Sequence, residues 1–160
     1  MENVRGSSIR ELCFTGRAAT LDKAYRLGIL ARVLHGYAIQ LLKGLNQRDL
    51  ASRNVIVGSS HNVQPGTQQQ QTFPRLVLVD YNIAFVYKRT MFQNPHHQNA
   101  KLPPNHMELF WKDKLVEFRS WIPSAWEAKP RQRQEWLNKR FRETNAANYE
   151  ILREKLEFAN

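Results

Sequence analysis

Cysteine is nearly absent from this chain. Cys13 is the single one in 160 residues, so no disulfide can close within it and no multi-cysteine metal cage can form. That usage suits a reducing compartment, and the expectation is an intracellular protein, cytoplasmic or nuclear. Long apolar runs are missing too. No stretch approaches the roughly 18 apolar residues of a membrane span, and the opening MENVRGSSIRELC has no uninterrupted apolar core of the secretory kind. Acids are scarce: 14 Asp and Glu face 24 Lys and Arg, giving a formal net charge of +10 and a pI near 10.1. Such a field draws nucleotides, nucleic acid, anionic lipid or acidic partners without choosing among them, and it equally serves solubility. There is no internal repeat. GSSHN at 58–62 is followed by no GK[ST], which excludes a Walker phosphate loop, and the histidines show no HExxH spacing. His61, His96, His97 and His106 therefore read as ordinary histidines rather than zinc ligands.

The chain does contain the material of one domain spanning residues 1–160. Its hydrophobic content of 42%, with 11% aromatic and 24% charged residues, is that of a folded protein. Ser7 and Ser8 can cap a short helix running through Leu12. Beyond Thr20, residues Leu27, Leu30, Leu34, Tyr37, Ala38 and Leu41 recur at three- and four-residue steps, which predicts one long helix over 21–43. Gly44 marks its end, because glycine takes the left-handed stop conformation without a Cβ clash.

A polar loop over 45–54 follows, then Val55-Ile56-Val57, β-branched and apolar as a buried strand should be. The irregular GSSHNVQPGTQQQQTFP leads to a second strand, Leu76-Val77-Leu78-Val79, ending at Asp80. The two strands predict a small hairpin with the insert as its tip, its glutamine tract 68–71 being too short to drive assembly. Asn105 caps a helix expected through Trp111 to about Phe118. Pro123 breaks the chain, Ser124 starts a turn carrying Trp126, and further helices are expected near 131–142 and 146–158. Phe110, Trp111, Phe118, Trp121, Trp126, Trp136 and Phe141 form the expected core of this half. Lys129, Arg131, Arg133, Lys139, Arg140 and Arg142 cluster beside Trp136. They read as a solvated helical face neighboured by glutamates rather than as a nucleic-acid surface. The architecture is therefore mainly α with a small β-hairpin.

Two stretches carry chemistry. Gln47-Arg48-Asp49-Leu50-Ala51-Ser52-Arg53-Asn54 packs an acid, an amide and two guanidinium groups between a long helix and a strand. Asp80-Tyr81-Asn82 places a second acid where the next strand ends. In this order and context the chain resembles the C-terminal lobe of the protein kinase-like superfamily. That family's catalytic loop reads His-Arg-Asp-Leu, three variable residues, then Asn, and its metal segment reads Asp-Phe-Gly. Arg53 directly before Asn54, with Ala51 two residues after Asp49, is similar to the Ala-Arg-Asn ending of tyrosine-kinase loops and to the looser loops of small-molecule kinases. The resemblance extends to protein kinase-like sequences of filamentous fungi through GLNQRDLASRN, VDYNIA, LPPN at 102–105 and the closing EKLEF.

The resemblance implies ATP-dependent phosphoryl transfer to a hydroxyl acceptor, on a protein or a small molecule. It gives Asp49 the role of catalytic base and makes Asn54 and Asp80 the ligands of Mg2+ beside the phosphates of ATP. Arg48 and Arg53 would position the loop or a substrate oxygen. By the same comparison 1–12 corresponds to the hinge and first helix, 45–54 to the catalytic loop, 55–82 to the hairpin and metal-binding segment, and 105–160 to the C-terminal helices. The sequence departs from the family's pattern in Gln47 for His, Tyr81 for Phe, Asn82 for Gly and the missing Ala-Pro-Glu. It has no Gly-rich loop and no strand lysine, so a lone C-lobe that holds ATP poorly is expected. A catalytically inactive, kinase-like interaction module with an acidic partner is the alternative. A basic helical nucleic-acid-binding domain is a further one.

Overall fold

Ser8 closes the first strand and opens the first helix in the computed structural model, which describes residues 5–58, 74–87, 101–143, 146–153 and 155–159. Strand β1 (Gly6–Ser8) runs straight into helix α1 (Ile9–Phe14). The Ser8 hydroxyl accepts from the Glu11 amide at 3.1 Å, satisfying one of the amide groups a helix start leaves unpaired. A 3-10 turn over Arg17–Thr20 leads to α2 (Lys23–Leu42), 20 residues long. Its N-cap is Asp22. The Asp22 carboxylate accepts from the amides of Ala24 at 2.7 Å and Tyr25 at 3.2 Å. Ile29, Leu30, Ala31, Val33, Leu34, Ala38 and Leu41 are buried, so the expected stripe faces the core, with Leu27 and Tyr37 on its half-buried edge. Gly44 ends the element at φ 81°, in the left-handed region.

The β portion is larger than a hairpin, and the fold is mixed α/β. Strands β3 (Val55–Gly58) and β4 (Leu76–Leu78) pair antiparallel with Val55 opposite Leu78 and Val57 opposite Leu76. On the other side of β3 lies β1, pairing Gly6 with Gly58 and Ser8 with Ile56, which gives a three-stranded sheet of order β1-β3-β4. A second sheet joins β2 (Leu45–Asn46) to β5 (Phe85–Val86). Short extended pieces of two or three residues have too little periodicity to stand out from loops in sequence. The connection holding His61 and the glutamine tract, like His96 and His97, lies outside the described residues.

Two expected helices are cut short. Helix α3 (His106–Phe110), capped by Asn105 through the Met107 amide at 2.9 Å, stops well before Phe118. The Asp113 carboxylate takes the Leu115 amide at 2.7 Å and Leu115 sits at φ 52°, so local side-chain bonding competes with the helix, and only a 3-10 turn at Val116–Phe118 follows. The described residues after Asn148 are not helical either. Its backbone groups bond other elements instead: the Trp111 indole donates to the Glu157 carbonyl at 2.8 Å, and the Ala159 amide donates to the Gln134 side chain at 2.7 Å. Helices α4 (Ala125–Ala128) and α5 (Pro130–Leu137) match expectation, α5 continuing as a π-helical stretch over Asn138–Glu143.

One core joins the halves. Trp121 is fully buried, and its indole donates to the Arg26 carbonyl at 2.9 Å while the Arg26 guanidinium donates back to the Trp121 carbonyl at 2.9 Å. Every expected core aromatic of the C-terminal half is buried except Trp136, which is half-buried. Among the described residues no helix is long and apolar enough to cross a membrane.

Candidate functional site

The end of α2 and the two sheets fix the geometry of the 47–54 loop. Gln47 is completely buried, and its side-chain amide donates to the Val79 carbonyl at 2.7 Å. The Val79 amide in turn donates to the Asn54 carbonyl at 2.9 Å. The residue before Asp80 is thereby tied at both of its polar backbone atoms to the two ends of the loop. Gln47 thus makes a side-chain hydrogen bond to the backbone, a use of its amide that its donor and acceptor groups allow. Its side-chain oxygen, Oε1, is buried without a partner among the described residues.

Inside the loop Asp49 and Asn54 are in direct contact. The Asn54 amide donates to the Asp49 carboxylate at 2.9 Å and to the Asp49 carbonyl at 3.0 Å. Asn54 is 4% exposed, whereas the Asp49 side chain retains 25% exposure, so the buried amide holds a carboxylate that still meets solvent. Arg53 grips the same carboxylate with one nitrogen, 2.7 Å from each oxygen, and extends a second nitrogen to Glu117 at 3.2 Å. Glu117 lies in the 3-10 turn after α3, and nothing in its local sequence announces this role.

Asp80 arrives beside the loop through the Val79 backbone, but its carboxylate makes no hydrogen bond to Asp49 or Asn54. It is exposed, and among the described residues its partner is the Asn82 amide at a long 3.4 Å. Arg48 forms no ion pair with Asp49. It lines a hollow of about 320 Å³ together with Tyr37, Leu50 and Phe118. Asn46 supports this corner, accepting from the Tyr37 hydroxyl and from the Arg48 amide, both at 3.1 Å. In the Asp80-Tyr81-Asn82 segment the Tyr81 hydroxyl accepts from Gln40 at 2.8 Å, so the aromatic residue after Asp80 is anchored to α2.

Two backbone outliers coincide with this site. Arg48 has φ 62° and Asp80 has φ 60°, both in the left-handed region that residues with a Cβ seldom enter. Each such residue costs on the order of 1–3 kcal/mol and persists only where surrounding bonds over-determine it. The Asn46 and Gln47 bonds supply that constraint here.

The donor set suits a hard cation in part. The Asn54 side chain commits Nδ2 to Asp49, and its Oδ1 accepts no hydrogen bond among the described residues, where the Asp80 carboxylate is also largely unengaged. Both are oxygen donors of the kind magnesium takes. Among the described residues no group of three or more His, Cys, Asp or Glu side chains is placed to hold a metal, so a cation here would complete its shell with phosphate and water oxygens.

The basic cluster departs from the solvated face expected of it at one position. Arg131 is exposed and pairs with Glu135 at 3.1 Å, but Arg133 is only 3% exposed. Compared with protein-family models, with curated proteins and with solved structures, the chain matches none.

Proposed function

We propose that this chain is a protein kinase-like C-lobe whose site serves ATP-dependent phosphoryl transfer to a hydroxyl acceptor. The observation that carries the reading is the pair of bonds through Val79, which docks the DYN segment onto the RDLASRN loop. In this assignment Asp49 orients the acceptor hydroxyl and receives its proton, and Asn54 fixes the Asp49 carboxylate through its amide. The side-chain Oδ1 of Asn54 and the Asp80 carboxylate would hold the magnesium ion, which neutralises phosphate charge when bound. The strained backbones of Arg48 and Asp80 add support, since strain of this kind gathers at functional sites. The assignment is tested by calorimetric titration with ATP. Magnesium-dependent binding that disappears in Asp80→Ala is the expected result; binding indifferent to magnesium and to that substitution contradicts it.

One observation favours a second reading, a catalytically inactive interaction module of the same fold. Both Asp49 oxygens are engaged by Arg53 and one also by Asn54, leaving little capacity to receive a proton. Under this reading nucleotide gives no stabilisation, and Asp49→Asn leaves partner binding unchanged.

A further inference from the structure

A second cleft lies in the C-terminal half, built from other residues than the loop site, and it joins an apolar wall to unpaired positive charge. Its volume is about 510 Å³, within the roughly 300–1,000 Å³ range of small-molecule sites. Trp111 and Trp126 supply flat apolar surface, and Ile122 and Pro123 extend it. Four cations line it: Lys112, Lys114, Arg119 and Arg133. Glu127 is the lone acid in the lining, and it is already paired with Arg119 at 2.7 Å.

Arg133 is the informative member. It is 3% exposed and forms no ion pair among the described residues. One guanidinium nitrogen donates to the Trp111 carbonyl at 3.1 Å, but the Nε is buried with no acceptor among the described residues. The field of Asp113 reaches Arg133, yet that carboxylate lies beyond ion-pair distance and gives one oxygen to the Leu115 amide. A buried guanidinium ordinarily has a carboxylate or phosphate partner, because an uncompensated buried charge is costly and the planar fork is shaped for such an oxyanion. Lys112 and Lys114 are exposed and likewise have no acid partner among the described residues.

We infer that this cleft is a binding site for an organic anion: a small molecule with a flat apolar body, held between Trp111 and Trp126, and a carboxylate or phosphate directed at Arg133 with Lys112 and Lys114 around it. The inference is independent of the phosphotransfer reading, since none of Asp49, Asn54 or Asp80 lines the cleft.

The test uses indole-3-acetate and 2-naphthoate as probes, each against its neutral amide, titrated into the full chain and followed by calorimetry. Saturable binding of the acids is expected, with the amides at least about tenfold weaker, the loss of one charge-assisted hydrogen bond. The exposed double variant K112A/K114A, which leaves the core untouched, weakens the acids and not the amides. Arg133→Gln removes the preference for the acid; should it fail to fold, the acid–amide comparison and the double variant decide the matter. No binding of either acid, equal binding of acid and amide, or acid binding unchanged in K112A/K114A overturns the proposal. Loss of ATP binding in Asp80→Ala leaves it standing.

Discussion

The Val79 amide donates to the Asn54 carbonyl at 2.9 Å, and this bond docks the end of one strand onto the loop that opens the other. Hairpin pairing alone would align β3 with β4. The additional bond carries the alignment past the last paired residue, Leu78, to the residue before Asp80. The relationship between the two acid-bearing segments is therefore set by backbone and holds whichever rotamers Asp49 and Asp80 adopt.

Gln47 should be the residue on which that docking depends most. Gln47→Ala removes the 2.7 Å bond to the Val79 carbonyl and opens a cavity in a fully buried place. A loss of about 2 kcal/mol is expected, the cost of orphaning a buried acceptor and emptying part of the site. Urea unfolding measures it. A change within about 0.5 kcal/mol, the range of surface substitutions, would show that Val79 is held by other means.

Arg53 and Asn54 both contact Asp49, and magnitudes separate them. The Arg53–Asp49 pair is partly exposed, at 44% and 25% for the two side chains, so solvent screening leaves it worth about 0.5 kcal/mol. Asn54 is buried and its amide satisfies two acceptors of Asp49, so Asn54→Ala should cost about 2 kcal/mol. Equal effects of the two substitutions in chemical denaturation would contradict this ordering.

His106 should make stability depend on acid. Its ring is fully buried, stacks on Phe141 with centroids 3.7 Å apart, and among the described residues has no hydrogen bond of good geometry at either nitrogen. Burial, with His35 nearby adding to it, lowers its pKa from 6.5 to about 3; the Leu34 backbone opposes this only in part. The folded ring is thus neutral while the unfolded one charges below pH 6.5, so the unfolded state binds more protons between the two values. Stability is full above pH 6.5 and falls as pH drops toward 3, by up to about 1.4 kcal/mol per pH unit from this group. Carboxylates add their own slopes, so the diagnostic quantity is the difference from His106→Phe, which keeps the stack. The variant should lose less stability between pH 7 and pH 5; identical slopes would mean His106 is protonated at no cost.

Gly6 is held by contact. A Cβ there would meet the Val57 carbonyl oxygen at 2.4 Å. Gly6→Ala should therefore displace β1 from β3 and cost on the order of 2 kcal/mol, as substitutions where the backbone cannot accept them do. A wild-type melting temperature for Gly6→Ala would show that the strand yields freely.

How much of this could be read from sequence divides along physical lines. The long helix was legible because Leu27, Leu30, Leu34 and Leu41 repeat at helical steps, and its end because Gly44 punctuates it. The hairpin strands were legible in VIV and LVLV. Strands β1, β2 and β5 were not, since pieces of two or three residues exist only through partners distant in sequence. The α3 helix was overextended because the Asp113–Leu115 bond and the left-handed Leu115 leave no periodic trace. Asp49 and Asn54 stood out as an acid and an amide in one short loop, but Glu117 became visible only when the fold brought it to Arg53. The burial of Arg133 was hidden in a run of basic residues that looks uniformly solvated.

The central claim is that Asn54 and Asp80 share one cation beside Asp49, and manganese broadening of amide NMR signals tests it most directly. With Mn2+ and ATP added to the labelled protein, the amides of 49–55 and 79–82 should broaden first, and Asp80→Ala should abolish that pattern. Broadening centred elsewhere, or a pattern unchanged by Asp80→Ala, would contradict the account.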